Sequence, residues 1–500
     1  MLFYSNPKVT VLLQEGLPFN LNIYFPVLLT LAKFDHMRRL FIACTLFITG
    51  FISFAQQDDS LMIRKIADEI LINSKAYENL RHLTKQIGAR LAGSAGMVKA
   101  EQWGFKVMQE SGAEKTWLQE CMVPHWVRGG KDEAGIVSFQ SSTNGVGTSK
   151  MVKKLDVIAL GNSMGTGPRG IVDNVVLVNS FEDLEAKKDL VNGKIVFYNY
   201  KFNPTYVNTF FAYRDAGQYR GQGPSRAAKY GALAVIVRSM SLSTDNNPHT
   251  GATRYDSVYA QIPAVAIGLR DADFLSEKLG KGKVSVYIKT YGKFLPDTVG
   301  HNVIGELIGS EFPDQIITVG GHLDSWDNCE GAHDDGAGCV QTIEVLRAFK
   351  AIGYKPKRTI RFVLFANEEN GLKGGMKYAE EALAKKEKHV FALESDAGGF
   401  TPRGFGFTAS DEQYKKILQW RSLIAPYGAG DFARGGGGAD IGPLNRNAGT
   451  PLAGLNPDTQ RYFDIHHARN DVFETVNKRE LELGAVNMAA LIYLVDKYGL

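Results

Sequence analysis

A short apolar run that leads into a dense group of polar residues constrains the fold of this chain more than any other feature. Ile316 to Val319 (IITV) runs directly into GGHLDSWDNCEGAHDDGAG, residues 320–338. Between its glycines this stretch holds two histidines and four aspartates. Charged side chains are rarely buried unless they are paired or bind a metal. A buried strand that ends in such a group indicates a functional site, with a self-satisfied polar turn as the structural alternative.

Strands and helices alternate in the second half of the chain. Apolar runs predict strands at 301–308, 315–319, 359–366, 389–393 and 451–455, and helical periodicity predicts helices at 337–352, 372–384 and 480–498. The run TIRFVLFA at 359–366 is apolar almost throughout, as in a strand that is buried on both faces. This alternation predicts an α/β fold, a three-layer sandwich with a mostly parallel central sheet.

The pattern of apolar and polar residues changes near residue 126 and again near residue 296, which predicts an inserted domain between them. Residues 126–296 read as short β-type runs between polar loops, with one long helix candidate at 216–231 that Pro224 interrupts. This segment contains no group of metal-type side chains in its sequence. We interpret residues 56–125 and 297–500 as two parts of one domain and residues 126–296 as a β-rich domain inserted between them. Two domains agree with a length of 500 residues.

The N-terminus carries the pattern of a targeting segment. Met37-Arg38-Arg39 precedes the apolar stretch 40–51, and Ser53-Phe54-Ala55 provides small residues for cleavage. Residues 1–55 are therefore interpreted as an upstream extension and a signal peptide at about 37–55, with a secreted or periplasmic product. An N-terminal anchor helix is the alternative. No run of 18 apolar residues occurs, so no integral membrane segment is expected after cleavage. A net charge of +4 gives no reason to expect a nucleic-acid partner.

Three cysteines remain after that cleavage, namely Cys121, Cys329 and Cys339. Three thiols cannot all pair, so the chain is not a disulfide scaffold. Cys329 and Cys339 flank the acidic group at 334–335. Either a bridge between them or two small space-filling side chains is consistent with the sequence.

Polar side chains follow the predicted buried strands at their carboxyl ends, where ligands bind in sheets of this kind. The candidates are, in chain order, His322, Asp334, Glu368, Glu369, Asp396, His466 and His467. A Glu-Glu or His-His pair alone is more often solvated or packed. Together they indicate a metal site. Imidazole and carboxylate without thiolate favour zinc and, less selectively, cobalt or manganese. The number of donors suits two ions that share a carboxylate better than one tetrahedral ion.

Five motifs resemble those of di-zinc exopeptidases of the aminopeptidase Y and carboxypeptidase Q (plasma glutamate carboxypeptidase) type. The motifs are GGHLDSWD, GAHDDGAG, FANEENGLKGG, ESDAGG and DIHHARND. IGARLAGSAG and GGGGADIGPL also resemble segments of that family. We expect Arg90, Ser94 and residues 435–440 to border the pocket, with plain turn chemistry as the alternative. The resemblance implies a peptidase domain formed by 56–125 and 297–500, and an inserted protease-associated domain at 126–296.

The resemblance also implies the two zinc ions and their ligands. His322 and Asp396 would bind one ion, Glu369 and His467 would bind the other, and Asp334 would bridge both. His467 is preferred to its neighbour because the family histidine stands four residues before an acidic residue, here Asp471.

Two further roles follow from the same resemblance. Glu368 would be the general base that takes a proton from a metal-bridging water, and Asp324 would hydrogen-bond His322 and fix its tautomer. The implied substrate is a short peptide or dipeptide, and the resemblance suggests a homodimer. The alternatives are a single-zinc acyltransferase of the glutaminyl cyclase type and an inactive peptidase fold that only binds. Both are disfavoured because every expected di-zinc ligand is present.

Overall fold

The structure, a computed structural model, describes residues 57–140 and 148–500. The predicted upstream extension and signal peptide at 1–55 lie outside these residues. By its contacts the chain forms two compact units, Met1–Leu61 and Met62–Leu500. Of the first unit, residues 57–61 are described and are helical. Among the helices of the described residues, none combines the length and apolar character that crossing a membrane requires.

The helices and strands of the described residues are as follows. The helices are α1 (57–73), α2 (Ala76–Arg81), α3 (Ala95–Glu110), α4 (Phe181–Ala186), α5 (Thr209–Gly221), α6 (Gly223–Ala228), α7 (Leu269–Lys281), α8 (Ala337–Ala351), α9 (Lys373–Ala384), α10 (Asp411–Leu418), α11 (Arg421–Ile424), α12 (Gly442–Ala448), α13 (Tyr462–Ile465) and α14 (Lys478–Tyr498). The strands are β1 (Lys115–Val127), β2 (Glu133–Gln140), β3 (Thr148–Leu155), β4 (Val157–Ala159), β5 (Ile171–Val178), β6 (Ile195–Tyr198), β7 (Ala234–Arg238), β8 (Ala264–Ile267), β9 (Ser285–Lys289), β10 (Lys293–Leu307), β11 (Phe312–His322), β12 (Arg358–Phe365), β13 (Lys388–Glu394), β14 (Pro402–Thr408), β15 (Asp431–Arg434) and β16 (Leu452–Pro457).

The first sheet has the strand order β1-β10-β12-β11-β13-β16-β14-β15. Its central strands β12, β11, β13 and β16 are parallel to one another, and β10 and β14 flank them in antiparallel orientation. Strand β12 (RTIRFVLF) is buried at every position after its first. Its alternate residues face opposite sides, because Phe362 and Leu364 pack in one apolar cluster with α3, α8 and α14, whereas Val363 and Phe365 pack in another with α9 and α12. The predicted α/β sandwich with a mostly parallel central sheet is confirmed.

The second sheet has the order β3-β2-β9-β5-β6-β7-β8-β4 and is built entirely from residues 133–289. Its apolar residues form clusters separate from those of the first sheet. The segment leaves and re-enters the first sheet through adjacent antiparallel strands, because Val127 of β1 pairs with Lys293 of β10. Contacts do not divide this segment from the rest of the second unit. An inserted domain with the bounds 126–296 therefore stays a prediction.

Two helices, α5 and α6, replace the single helix predicted at 216–231. The first begins earlier, at Thr209, where the side chain of Asn208 accepts a hydrogen bond from the backbone N of Phe210. Pro224 lies in the first turn of α6, where its missing N–H removes no intrahelical hydrogen bond.

Candidate metal centre

Three neighbouring parallel strands bring predicted ligands to one edge of the first sheet. Strands β12, β11 and β13 lie side by side and run in the same direction. His322 ends β11, Glu368 and Glu369 follow β12, and Asp396 follows β13. The carboxyl ends of parallel strands share one edge, so residues distant in sequence meet there.

The first group of donors consists of His322, Asp334 and Asp396. Nε2 of His322 lies 3.3 Å from Oδ1 of Asp334 and 3.4 Å from Oδ1 of Asp396. One donor atom from each of the three lies within 4.8 Å of the others, which is a spacing that can hold a metal ion. His322 and Asp334 are buried, and the side chain of Asp396 is 22% exposed.

The second group shares Asp334 with the first. Nε2 of His467 lies 3.3 Å from Oδ2 of Asp334 and 3.1 Å from Oε2 of Glu369. Nε2 of His466 lies 3.4 Å from the same Oδ2, and the two histidine rings stack with centroids 3.6 Å apart. Thus one oxygen of Asp334 faces the first group and the other faces the second, as in a carboxylate that bridges two ions.

The donor atoms are arranged as ligands of a metal rather than as hydrogen-bond partners of one another. Nε2 of His322, Oδ2 of Asp334 and Oε1 of Glu369 are buried and have no hydrogen-bond partner among the described residues. A buried polar atom without a partner costs about 1–3 kcal/mol, and more if it is charged. Oxygen and imidazole donors without thiolate suit zinc. The residues present therefore fit the metal that the sequence predicts.

Each predicted histidine ligand directs Nε2 towards the centre and Nδ1 towards a backbone carbonyl. Nδ1 of His322 lies 3.0 Å from the carbonyl oxygen of Asp324, and Nδ1 of His467 lies 3.3 Å from that of Thr250. In both cases Nδ1–H can donate to the carbonyl, which leaves Nε2 without a proton and able to bind a metal.

The expected role of Asp324 differs in detail from the prediction. Its backbone carbonyl accepts from His322, whereas its Oδ1 lies 3.7 Å from Nδ1 of that ring. Its carboxylate instead accepts from the backbone N of Glu368 at 2.9 Å and of Glu369 at 3.3 Å. Asp324 therefore holds the turn that carries the general-base candidate and a ligand candidate.

Two further carboxylates accept hydrogen bonds from the backbone that carries the ligand candidates. Asp471 accepts from the backbone N of His333 at 2.8 Å and of Asp334 at 3.1 Å. Asp335 accepts from the backbone N of His322 at 3.0 Å and of Gly338 at 2.9 Å. Sequence reasoning used Asp471 only as a spacing marker, whereas in the structure its carboxylate holds the backbone of the segment that carries Asp334.

His333 and Asp327, which also lie in the stretch 320–338, are engaged elsewhere. The ring of His333 stacks on Phe400 with centroids 4.2 Å apart, and its Nδ1 accepts from the backbone N of Gly399. Burial lowers the pKa of His333 to about 4, so the ring is neutral at pH 7. Asp327 pairs with Arg128 at 2.6 Å. These contacts agree with a packing role for His333.

The acidic groups of the centre have strongly shifted pKa values. Burial raises the pKa of Asp334, but the imidazoles of His466 and of the two ligand candidates outweigh it and hold this pKa well below its usual range. Burial and then the charge of Asp334 raise the pKa of Glu369 to about 7. Burial also raises the pKa of Glu368 well above its usual value, against the attraction of His322. Carboxylates crowded in this way favour a bound cation.

A cavity of about 580 Å³ adjoins the centre. Residues from the segments that form both sheets line this cavity. Those from the segment of the first sheet include Asp334, Glu368, Glu369, Asp396, Tyr462, His466 and His467. Those from residues 126–296 are Asn162, Phe210, Tyr213, Arg220, Ala252 and Arg254. Sequence reasoning missed the second set, because no spacing along the chain signals which loop of one sheet reaches the edge of another.

Arg90 and Ser94, which were expected to border the pocket, support the backbone instead. Arg90 is buried and donates to the carbonyl oxygens of Leu323, Glu330 and Gly331 at 2.5, 2.7 and 2.9 Å. Ser94 caps α3 by accepting from the backbone N of Met97. Neither lines the cavity.

No bridge joins the cysteines of the described residues. Cys121, Cys329 and Cys339 are all free thiols. The thiol of Cys339 is buried and lies 3.0 Å from the carbonyl oxygen of His322. The cysteines therefore act as packing residues, which was one of the two interpretations that the sequence left open.

The fold, the donor groups and the proteins to which this chain is similar define a zinc metallo-exopeptidase. Residues 302–492 match the sequence profile of peptidase family M28. Together with the relatives described next, this match shows that the chain belongs to that family, and the resemblance that the motifs indicated is confirmed.

Carboxypeptidase Q of Homo sapiens is 35% identical over 423 residues, which cover 84% of this chain and 85% of the relative. The crystal structure of a peptidase M28 precursor from Shewanella amazonensis SB2B superposes with a TM-score of 0.82 at 31% identity, covering 88% of this chain and 97% of that one. A zinc aminopeptidase from Bacillus subtilis has a TM-score of 0.58 at 22% identity, covering 84% and 94% of the two chains, and so shares the fold.

Proposed function

We propose that this chain is a secreted di-zinc exopeptidase that hydrolyses short peptides or dipeptides. The observation that carries the two-metal part is the position of Asp334. Its two carboxylate oxygens face two different groups of donors, each at 3.3 Å from a histidine Nε2. A single zinc would leave one of these groups as buried, unpartnered donors.

The proposed ligands divide between the two ions. His322 and Asp396 would hold one zinc, Glu369 and His467 would hold the other, and Asp334 would contact both. Zinc at these positions would polarise the scissile carbonyl and lower the pKa of bound water. The burial of His322 and Asp334 excludes competing solvent from the ligand atoms.

We prefer His467 to His466 as the ligand for two reasons. His467 contacts Glu369 as well as Asp334, and a backbone carbonyl fixes its tautomer. It also has a left-handed backbone with φ of 60°, which is costly for a residue with a side chain and is typical of functional sites. We expect His467→Ala to lose one of two zinc ions and His466→Ala to retain both, as measured by metal analysis of the purified proteins.

Glu368 is the proposed general base. It lines the cavity beside the donors, and its backbone N is held by Asp324. Its carboxylate would accept a proton from the attacking water and then donate that proton to the nitrogen of the leaving amine. Glu369 is less suitable for this task, because its Oε2 is already engaged by His467.

The size of the cavity supports a small substrate. About 580 Å³ lies within the range of pockets that enclose small ligands, so a short peptide fits and a folded chain does not. The names of the relatives include both a carboxypeptidase and an aminopeptidase. Secretion, the homodimer and the role of residues 126–296 as a protease-associated domain are part of the same proposal.

The test combines metal analysis with a peptide panel. We expect two zinc ions per chain, hydrolysis of free dipeptides, and no hydrolysis of peptides blocked at both ends. Blocking one end at a time identifies the terminus that the enzyme requires. One tightly bound zinc together with release of ammonia from N-terminal glutamine would instead identify a glutaminyl cyclase-type acyltransferase and would refute the proposal.

A further inference from the structure

A loop in the segment that forms the second sheet hydrogen-bonds to His467, one of the two histidine ligand candidates. Residues 249–253 lie between β7 and β8. The backbone N of Thr250 donates to the carbonyl oxygen of His467 at 3.0 Å, and Nδ1 of His467 lies 3.3 Å from the carbonyl oxygen of Thr250. In the tautomer with the proton on Nδ1 of His467, the two residues hydrogen-bond each other in both directions, although 217 positions separate them in the chain.

The loop is itself fixed to the second sheet's segment. The backbone N of Gly161 donates to the carbonyl oxygen of Gly251 at 3.0 Å, and the backbone N of Thr253 donates back to Gly161 at 2.8 Å. The hydroxyl of Thr250 donates to the carbonyl oxygen of Ala159 at 2.9 Å. A carbonyl held in this way presents a rigid acceptor to the imidazole.

Arg220 of α5 braces the same carbonyl. Its Nη1 donates to the carbonyl oxygen of Thr250 at 3.3 Å and lies 3.3 Å from Nδ1 of His467. Its Nη2 donates to the hydroxyl of Tyr213 at 2.6 Å. No carboxylate of the described residues forms an ion pair with Arg220. The charge of Arg220 therefore lies beside Thr250 and His467 rather than in a salt bridge.

Gly251 is required for the close approach of these groups. A Cβ at this position would lie 2.4 Å from Nη1 of Arg220 and 2.6 Å from Nδ1 of His467. Both distances are shorter than a van der Waals contact. The φ of 126° also lies in the region that favours glycine.

Further contacts attach the segment around His467 to the second sheet's segment. The hydroxyl of Ser241 donates to Asp464 at 3.1 Å, and Nε of Arg469 donates to Asn247 at 2.7 Å. Aromatic and aliphatic residues from both sides form one buried cluster, made up of Phe202, Ala212, Ala216, Met240, Phe400, Tyr462, Phe463 and Ile465. The position of His467 thus depends on residues outside the sheet that carries the other ligand candidates.

We propose that the loop 249–253 and Arg220 are positioning elements for His467, and that they set the affinity of the zinc held by Glu369 and His467 without setting that of the other zinc. This inference rests on the proposed function, in which His467 is a ligand. The asymmetry follows from the geometry. His322 is oriented by the carbonyl of Asp324, two residues away in its own loop, whereas His467 is oriented by a carbonyl from the other sheet.

The test measures zinc affinity at each position. Apo-protein is titrated with zinc in competition with a chromogenic chelator, and the cobalt(II) absorption spectrum reports ligand geometry. In Gly251→Ala and Arg220→Met, we expect one of two affinities to fall about 10–100-fold, as is typical when a residue that orients a metal ligand is lost. Arg220→Lys retains a cationic donor and is expected to recover part of that loss.

Matched controls separate this effect from general strain. Gly193 also has a left-handed φ, of 71°, but an added Cβ meets nothing within 4 Å, so Gly193→Ala tests the backbone cost alone. Arg214 is exposed on the same helix as Arg220 and contacts the ring of Phe211, so Arg214→Met tests loss of an arginine alone. Both controls are expected to bind both zinc ions as the wild type does.

The possible outcomes are distinct. Unchanged affinities in Arg220→Met and Gly251→Ala, or equal weakening at both positions, would overturn the inference. If Gly251→Ala fails to fold, Arg220→Met decides the question, because it leaves the loop backbone unaltered. Failure of the proposed function has a different signature, namely that the wild type itself binds fewer than two zinc ions or that His467→Ala loses none.

Discussion

Replacement of Glu368 by glutamine tests the proposed chemistry most directly. Glutamine has nearly the same volume and shape, and the backbone N at this position still donates to Asp324 at 2.9 Å. The donors around Asp334 are not altered, because Glu368 belongs to neither group of possible ligands. The change removes the carboxylate charge and, with it, the ability of the side chain to accept a proton.

The expected size of the effect follows from that loss. General base catalysis by a positioned side chain contributes about 10²–10⁴-fold to a rate. At 1.36 kcal/mol for each tenfold change, the barrier rises by about 3–5 kcal/mol. The loss should appear in kcat, because the cavity and the proposed metal ligands are unaltered and substrate can still bind.

The assay compares kcat on a dipeptide with zinc content for Glu368→Gln and for a matched variant. Glu380→Gln makes the same chemical change at an exposed position on α9 and should leave both quantities unaltered. A Glu368→Gln protein that keeps wild-type zinc and more than a tenth of wild-type kcat would refute the reasoning. The base would then have to be another group in the cavity.

Three further predictions concern the metal, the loop that carries the shared carboxylate, and acid stability. Removing metal with a chelator should abolish hydrolysis and lower Tm, and added zinc should restore both, because metal binds only the folded state; an unchanged Tm would contradict a buried metal centre. Arg90→Met should lower Tm by several degrees in a thermal melt, because it leaves the carbonyls of Leu323 and Glu330 without donors, at a cost of about 1–3 kcal/mol each; an unaltered Tm would mean that water replaces the guanidinium. Burial raises the pKa of Glu387, but His389 and Arg361 outweigh it and bring this pKa to about 2. The stability it contributes is therefore present above its unfolded pKa of about 4.3 and is lost as pH falls towards 2, so the Tm difference between wild type and Glu387→Gln should shrink over that range.

Local patterns were sufficient to predict the central strands of the first sheet and one side of the centre. The apolar runs at 315–319, 359–366 and 389–393 form parallel neighbours, and the polar residues after them meet because the carboxyl ends of such strands share an edge. The prediction needed no knowledge of loop shape, since strand direction alone brings His322 and Asp396 within 3.4 Å. Their roles as ligands stay predictions until metal is measured.

Loop geometry set the limit of what the sequence could predict. The loop 249–253 carries no pattern that signals contact with His467, and Tyr213 and Arg220 look like ordinary residues of a surface helix. Asp324 was expected to face His322 with its carboxylate, yet its backbone does so because the carboxylate turns towards the amides of residues 368 and 369. Which acceptor a ring or an amide contacts depends on the loop geometry of the folded chain, and the spacing of residues along the sequence does not indicate it.

The pairing of Val127 with Lys293 has a consequence for how this architecture could arise and change. The two ends of the stretch between them lie next to each other, and a domain whose ends are adjacent can be inserted into another domain. If residues 126–296 are an inserted domain, as the sequence predicts, a simpler hydrolase could acquire them in a single event without disturbing its sheet. Once this segment supplied the acceptor for the imidazole of His467, however, deleting it would leave a proposed metal ligand without that acceptor, so such an addition would be harder to lose than to gain.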